Sequence, residues 1–123
     1  MNFSKKILLV EDSPFQRTIC VSQLKQVGFE NIEVADDGNV GYSMLEEGDF
    51  DLVLCDWEMP ELNGIQLLKK VKKNAALQHI PFLMLTSIDD HERLQEAIEA
   101  GALYYIVKPG TPDLFKEKLG KHI

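Results

Sequence analysis

The feature that most constrains the fold is a stretch of four apolar residues, LVLC at positions 52–55, that ends abruptly at Asp56. Continuous apolar runs of this length are typical of strands that are covered on both faces, as in a parallel sheet. Pro60 and the pair Asn63-Gly64 then indicate a loop before the next helical pattern. A carboxylate is therefore expected where a buried strand reaches the surface, at the edge where open α/β sheets form their ligand crevices.

The rest of the chain alternates between strand patterns and helical patterns. Four other segments have strand-like apolar composition, at residues 7–10, 32–35, 82–85 and 103–107. Helical patterns lie between and after the strands, at residues 14–27, 39–47, 65–73, 89–100 and 112–123. This order predicts one α/β domain over residues 1–123, with five strands and five helices. The predicted domain is a doubly wound α/β fold, because right-handed crossovers place helices on both faces of a parallel sheet.

Composition and charge exclude several classes of protein. With 45% hydrophobic and 27% charged residues, the chain is typical of a globular domain. Its apolar runs are too short to span a membrane and no signal-peptide pattern is present, so we expect a cytoplasmic protein without membrane contact. A net charge of −7 argues against direct nucleic-acid binding by this domain, whereas a protein partner with a cationic surface remains open. Cys20 and Cys55 are expected to be buried thiols, because no CxxC spacing exists.

Polar groups follow four of the five predicted strands, and parallel strands bring these ends to one edge of the sheet. The groups are Glu11 and Asp12, Asp56, Thr86 and Ser87, and Lys108. Each alone would do no more than end a strand, but together they indicate a site. Three crowded carboxylates raise one another's pKa unless a cation neutralises them. Hard oxygen ligands with room for water suit Mg²⁺ better than zinc, with Mn²⁺ as a substitute.

Phosphoryl transfer is the chemistry that this set of groups favours. A carboxylate such as Asp56 can attack phosphorus and form an aspartyl phosphate. The reaction needs in-line positioning and neutralised phosphoryl oxygens, which Mg²⁺ and Lys108 would provide, while Thr86 would donate a hydrogen bond to a phosphoryl oxygen. Since an acyl phosphate is a labile mixed anhydride, a switch built on it resets itself, which favours signalling over storage.

The chain resembles the response-regulator receiver domains of two-component signalling over all 123 residues. The matching residues are Glu11-Asp12, the motif Asp56-x-x-Met59-Pro60-x-x-x-Gly64, Thr86, Tyr105 and Lys108-Pro109. Segments 28–38 (GFENIEVADDG) and 56–64 (DWEMPELNG) are most similar to chemotaxis-type single-domain regulators, which implies a role in chemotaxis or motility control. The resemblance also implies the flavodoxin-like strand order 2-1-3-4-5.

The resemblance implies a phosphoacceptor and a set of metal ligands. Asp56 would accept the phosphoryl group from the phosphohistidine of a sensor histidine kinase or phosphotransfer protein. Asp12, Asp56 and the backbone carbonyl of Glu58 would hold Mg²⁺, and Glu11 would assist through water. The side chain of Glu58 is expected to point outward.

The resemblance also implies how the phosphoryl group is held and how the signal leaves the site. Lys108 would contact the phosphoryl group, and backbone groups of Trp57 and Ser87 would border it. Thr86 and Tyr105 would form a coupled switch pair. Because this pair adjoins the predicted helix 89–100 and strand 103–107, the face of those two elements is the expected surface for a downstream protein target.

Two positions depart from the usual pattern of the family. Receivers carry a bulky residue after Lys108-Pro109, and Gly110 at that place is expected to remove a packing anchor under the last helix. Ile88, the second residue after Thr86, cannot position a water near the phosphate, which predicts a relatively slow reset. The Lys108-Pro109 peptide bond is expected to be cis, as it usually is in receivers.

In the receiver hypothesis the chain is not an enzyme but a switch that catalyses only its own phosphorylation and dephosphorylation. Two other functions compete with this hypothesis. A Mg²⁺-dependent phosphohydrolase of the haloacid-dehalogenase type also uses an aspartyl nucleophile, but it needs a second Asp where this chain has Glu58. A flavin-binding protein would need a Ser/Thr/Gly-rich phosphate loop where Glu11-Asp12 would repel a phosphate. We expect a free-standing protein, with a receiver cut from a longer regulator as the alternative.

Overall fold

The computed structural model describes residues 3–87, 90–108 and 110–120, and it has the five parallel strands and five helices that were predicted. The strands are β1 (Lys6–Val10), β2 (Asn31–Ala35), β3 (Leu52–Asp56), β4 (Phe82–Thr86) and β5 (Tyr104–Val107). The helices are α1 (Pro14–Val27), α2 (Gly38–Glu47), α3 (Gly64–Lys72), α4 (His91–Ala100) and α5 (Pro112–Leu119). The strand order is β2-β1-β3-β4-β5, and each neighbouring pair is parallel. In the part of the chain described above, no helix has the length and apolar character needed to cross a membrane.

The sheet separates two hydrophobic layers, which explains why its central strands have continuous apolar sequences. Ile7 and Leu9 of β1 pack in the layer that includes α1 and α5. Leu8 and Val10 point to the opposite face and pack in the layer that includes α2, α3 and α4. Because successive side chains of a strand alternate between faces, a strand covered on both sides has to be apolar at every position. Cys20 and Cys55 are buried free thiols, as predicted.

The first residues of the helices show how local sequence sets their boundaries. α1 begins at Pro14 with Ser13 as its N-cap, as predicted. In α4 the N-cap is Asp90, whose side chain accepts a hydrogen bond from the Glu92 N–H at 2.9 Å. The described part of α4 thus begins at His91, whereas the predicted first residue, Asp89, lies outside the described residues.

Three further sequence expectations fall on residues outside the described part of the chain. They are the cis geometry of the Lys108-Pro109 bond, the influence of Ile88 on the reset, and the continuation of the last helix over residues 121–123, beyond the C-cap Gly120. These expectations stay predictions.

Helix α4 presents apolar side chains to solvent. Its fully buried residue is Ala97, while Leu94 and Ile98, the apolar positions that indicated the helix in the sequence, are 38% and 48% exposed. On the neighbouring strand and just before it, Val107 and Leu103 are each 37% exposed. The small Ala97 lets α4 lie close to the protein, and its larger apolar residues remain at the surface.

Candidate functional site

The carboxyl ends of β1, β3, β4 and β5 meet at one edge of the sheet. Val10, the last residue of β1, pairs with Cys55 of β3, and Asp56 pairs with Leu85 of β4. Thr86, the last residue of β4, pairs with Val107 of β5. The polar groups that follow or end these strands are therefore held at neighbouring positions by the ladder itself.

Three carboxylates form an acidic cluster at this edge. One oxygen from each of Glu11, Asp12 and Asp56 lies within 4.8 Å of the others. Glu11 and Asp56 are 2% and 5% exposed, whereas Asp12 is open to solvent. Two buried carboxylates with a third at the surface fit a hard divalent cation that keeps part of its water shell, such as Mg²⁺.

Lys108 lies between two members of the acidic cluster. Its ammonium nitrogen forms an ion pair with Glu11 Oε2 and lies 3.2 Å from Asp56 Oδ1. Burial alone would lower the pKa of Lys108, but the hydrogen bond to Glu11 and the charges of Asp56 and Glu11 raise it. Lys108 is therefore a fixed positive charge beside the predicted phosphoacceptor.

One ammonium group does not neutralise three carboxylates, and Asp56 is the member of the cluster whose pKa is raised. Burial raises the pKa of Asp56 to about 6, and the charges of Glu11 and Asp12 raise it as well, while Lys108 lowers it. A raised pKa means that the ionised form is disfavoured in this environment. A cation bound beside Asp56 would reverse that preference, which is a physical reason for the cluster to bind one.

The side chain of Glu58 is exposed, as predicted, and it also makes two contacts across the site. Glu58 Oε1 forms an ion pair with Nη1 of Arg93 in α4, and Glu58 Oε2 accepts a hydrogen bond of 3.4 Å from the Thr86 hydroxyl. The Arg93 guanidinium carbon lies 5.0 Å from the centroid of the Trp57 ring. A cation from a separate helix thus pairs with this exposed carboxylate. Sequence reasoning missed Arg93, because nothing in the local pattern marks a contact to a loop 35 residues away.

The predicted switch pair, Thr86 and Tyr105, is brought together by neighbouring strands. Burial raises the pKa of Tyr105, and a hydrogen bond with Thr86 partly offsets this rise. The Tyr105 ring also packs edge-on against Trp57, with a centroid distance of 6.3 Å and an interplanar angle of 77°. The indole, the phenol and the Thr86 hydroxyl are therefore in one connected group next to α4.

The predicted backbone contact from Trp57 to a phosphoryl group needs a correction. The Trp57 N–H donates to the carbonyl of Leu85 at 2.9 Å. This amide is therefore engaged with β4 and does not point toward the Asp56 carboxylate in this structure. Ser87, the other residue predicted to offer a backbone contact, is exposed and lines the cavity at the site.

A close approach at Gly64 fixes the loop after Asp56. The Gly64 N–H donates to the Trp57 carbonyl at 2.9 Å. A Cβ atom at position 64 would lie 2.3 Å from the Asp56 carbonyl oxygen, so only glycine fits. The start of α3 is thus held directly against the strand end that carries the phosphoacceptor.

The acidic cluster opens into a cavity of about 550 Å³ that continues between α1 and the loop before α5. Gly110 lies at its far end, where the carbonyl accepts a hydrogen bond of 2.7 Å from Gln23 Nε2. A Cβ at position 110 would lie 2.8 Å from Cζ of Phe115, whose ring is 1% exposed. Phe115 therefore packs against Gly110, and α5 itself provides the packing anchor that the sequence was expected to lack.

Comparisons with known proteins agree with this geometry. The family described as "Response regulator receiver domain" matches residues 7–120. The chain is 45% identical over 121 residues to chemotaxis protein CheY-3 of Vibrio cholerae, covering 98% of this chain and 93% of that protein. The structure of Vibrio cholerae chemotaxis protein CheY4 has a TM-score of 0.88 at 29% identity, with coverages of 98% and 99%. The Mn²⁺-bound form of response regulator Rcp1 has a TM-score of 0.80 at 27% identity, with coverages of 94% and 90%.

Proposed function

The chain belongs to the response regulator receiver domain family, and from this premise we propose that it is a phosphorylation-controlled switch in which Asp56 accepts the phosphoryl group. The donor is the phosphohistidine of a sensor histidine kinase or phosphotransfer protein. The observation that carries the proposal is the acidic cluster with Lys108 paired to two of its carboxylates. The similarity to chemotaxis proteins supports an output in chemotaxis or motility control. The proposal treats residues 1–123 as one receiver domain and keeps the cytoplasmic location that the sequence predicts.

The described side chains suggest how the transfer proceeds. An Asp56 carboxylate oxygen attacks phosphorus as the P–N bond to the donor histidine breaks, and the bonding electron pair leaves with the imidazole. Lys108, now paired with Glu11 and Asp56, neutralises a phosphoryl oxygen as charge develops. The Thr86 hydroxyl, which donates to Glu58 in the unphosphorylated form, turns to another phosphoryl oxygen.

A divalent cation is the cofactor in this proposal, Mg²⁺ with Mn²⁺ as a substitute. Asp12, Asp56 and the backbone carbonyl of Glu58 would hold it, and Glu11 would act through water. When bound, the ion supplies positive charge that stabilises the phosphoryl oxygens in the transition state. The Mn²⁺-bound response regulator among the similar structures supports this choice of ion.

The signal would leave through the group around Thr86. When Thr86 turns to the phosphoryl group it gives up its hydrogen bond to Glu58, and Glu58 is paired with Arg93 of α4. Tyr105, which contacts Thr86 and Trp57, would follow. The face of α4 and β5 is therefore the proposed surface for the downstream protein target, and its exposed apolar residues give such a target an area to bury.

The phosphohydrolase alternative has less support. Hydrolysis of this type needs a free acid/base at position 58, two residues after the nucleophile. The Glu58 carboxylate instead accepts from Thr86 and is paired with Arg93. A carboxylate engaged by both of these partners is not free to act as the acid/base of such a reaction.

Intact-mass spectrometry with acetyl phosphate tests the proposal. The wild-type chain with Mg²⁺ is expected to gain one phosphoryl group, and Asp56→Asn none at that site. Asp49→Asn, at an exposed carboxylate away from the cluster, is the matched control and is expected to label like wild type. Equal labelling of the Asp56→Asn variant would show that the phosphoacceptor is another residue.

A further inference from the structure

Five side chains form a closed ring of contacts at the boundary between the site and α4. Thr86 donates a hydrogen bond to Glu58, and Glu58 forms an ion pair with Arg93. The Arg93 guanidinium lies over the Trp57 ring, which packs edge-on against Tyr105. The ring of contacts closes at the hydrogen bond between Tyr105 and Thr86.

Arg93 is the member of this ring that α4 contributes. The helix has one fully buried side chain, the small Ala97, so packing alone gives it little apolar contact with the protein. The ion pair with Glu58 and the stacking on Trp57 therefore make up a substantial part of what fixes the first turn of α4. Any change in these two contacts alters the position that α4 prefers.

The same contacts oppose the rearrangement that the proposed function requires of Thr86. A hydroxyl group has a single proton to donate, so Thr86 cannot donate to Glu58 and to a phosphoryl oxygen at the same time. Thr86 is fully buried, and its hydroxyl therefore needs a hydrogen-bond partner within the protein in each state. In the unphosphorylated state Glu58 is that partner, and Arg93 holds the Glu58 carboxylate where it can accept.

We propose that Arg93 is a positioning residue that holds the switch in its unphosphorylated state. Through Glu58 it keeps the Thr86 hydroxyl engaged, and a phosphoryl group on Asp56 has to displace this contact before Thr86 can turn to it. The inference rests on the proposed phosphoacceptor role of Asp56 and adds to it how readily the switch responds. No covalent bond is made or broken in this step.

The size of the effect follows from the exposure of the ion pair. The Glu58 and Arg93 side chains are both partly open to solvent, and an ion pair of this kind changes an equilibrium constant by a factor of about 1.5 to 5. A ligand that must displace the pair binds more weakly by that factor. Removing the pair is therefore expected to tighten the binding of beryllofluoride, a phosphoryl mimic, by about 2- to 5-fold.

The test uses the double variant Glu58→Ala/Arg93→Ala, which leaves the net charge unchanged. Either single substitution would also alter the charge that an anionic ligand meets. Beryllofluoride is titrated in the presence of Mg²⁺, and the Kd is taken from the midpoint of the Trp57 fluorescence change. A Kd equal to or weaker than that of wild type would overturn the inference and leave the proposed function standing. Absence of beryllofluoride binding to wild type would overturn the proposed function, and the inference with it.

The matched control is the double variant Lys6→Ala/Glu33→Ala. It removes an ion pair of 3.0 Å between partly exposed side chains on β1 and β2. Its cation also lies over an aromatic ring, with Lys6 Nζ 4.7 Å from the centroid of Phe50, as Arg93 lies over Trp57. This control is expected to bind beryllofluoride with the wild-type Kd. An equal gain of affinity in the control would show a general effect of lost ion pairs and overturn the inference.

Two further measurements separate positioning from a merely structural role. Arg93→Lys keeps a cation beside Glu58 and is expected to have a Kd within about 1.5-fold of wild type; a Kd as tight as that of the Glu58→Ala/Arg93→Ala variant would overturn the inference. Without ligand, amide hydrogen exchange in α4 of that double variant is expected to be about 2- to 5-fold faster than in wild type, with exchange in α1 unchanged. Unchanged exchange in α4, or equal acceleration in α1, would overturn the inference.

Discussion

Replacing Asp56 with Asn should make the protein more stable at neutral pH while abolishing phosphorylation. The wild-type carboxylate is 5% exposed, and its pKa rises from the ordinary value of 3.8 to about 6. At about 1.36 kcal/mol per pH unit, this rise corresponds to roughly 3 kcal/mol of lost stability when Asp56 is ionised. Asn removes that charge, but it also removes a partner of Lys108, which keeps Glu11. We therefore expect a net gain of about 1–3 kcal/mol.

The sign of the pH dependence makes this prediction specific. Between pH 3.8 and about 6 the folded protein holds a proton on Asp56 that the unfolded chain releases, so wild-type stability falls as pH rises through this window. Above this pH window the loss of stability from the ionised Asp56 is complete. Below the window Asp56 is protonated in both the folded and the unfolded state, so no stability is lost. The advantage of Asp56→Asn should thus be largest at pH 7.5 and fall to about 1 kcal/mol or less at pH 4.5.

Differential scanning calorimetry at these two pH values measures the effect. For 123 residues, an unfolding entropy of about 2.1 cal/mol/K per residue turns 1–3 kcal/mol into roughly 4–12 °C at pH 7.5. Asp49→Asn, at an exposed carboxylate, should change the melting temperature by less than about 2 °C. Added Mg²⁺ should reduce the difference in melting temperature between Asp56→Asn and wild type, because the ion stabilises the wild-type protein more than the variant. A destabilised Asp56→Asn variant at pH 7.5, or an equal gain at both pH values, would refute the reasoning.

Three further predictions concern the metal, the switch and the contact to α4. Mg²⁺ should change the fluorescence of Trp57 saturably and much more weakly in Asp12→Ala; a wild-type spectrum that Mg²⁺ leaves unchanged would count against the acidic cluster as a metal site. Thr86→Ala should still bind beryllofluoride, a phosphoryl mimic, but show a smaller change in amide hydrogen exchange in α4 and β5 than wild type; an equal change would remove Thr86 from the switch. Because the Glu58 and Arg93 side chains are 43% and 28% exposed, a double-mutant cycle of Glu58→Gln and Arg93→Gln by thermal denaturation should give a coupling below about 1 kcal/mol; a larger value would mean that the pair is more desolvated than these exposures indicate.

Sequence patterns correctly predicted those features of the structure that depend on local sequence or follow from the parallel topology of the sheet. The apolar run of β3 predicted a strand between two layers, and Asp56 predicted where that strand reaches the surface. The convergence of Glu11 and Lys108, 97 residues apart, was also accessible, because parallel strands bring their ends to one edge. What the topology could not specify is that these two side chains pair directly.

Sequence patterns failed where a single long-range contact decides the geometry. The pairing of the Glu58 side chain with Arg93 joins two different elements, so no local pattern indicates it. Likewise, an isolated Gly110 indicates a missing side chain, but not that the ring of Phe115 packs against it. In α4 the periodicity of Leu94 and Ile98 indicated a helix correctly, yet burial fell on the small Ala97, because helix position against the sheet is set by packing rather than by pattern.

The central position of β1 has a consequence for synthesis on the ribosome. β1 is paired on one side with β2 and on the other with β3, and four of its residues, Ile7 to Val10, have no exposed surface. At about 5–20 residues per second, roughly 2–10 seconds of translation separate the emergence of β1 from that of β3. During that interval the most apolar strand of the nascent chain has one unpaired edge, which makes it a binding site for chaperones and a starting point for aggregation. The strand that later positions two of the three carboxylates of the acidic cluster thus has an exposed apolar edge throughout this interval.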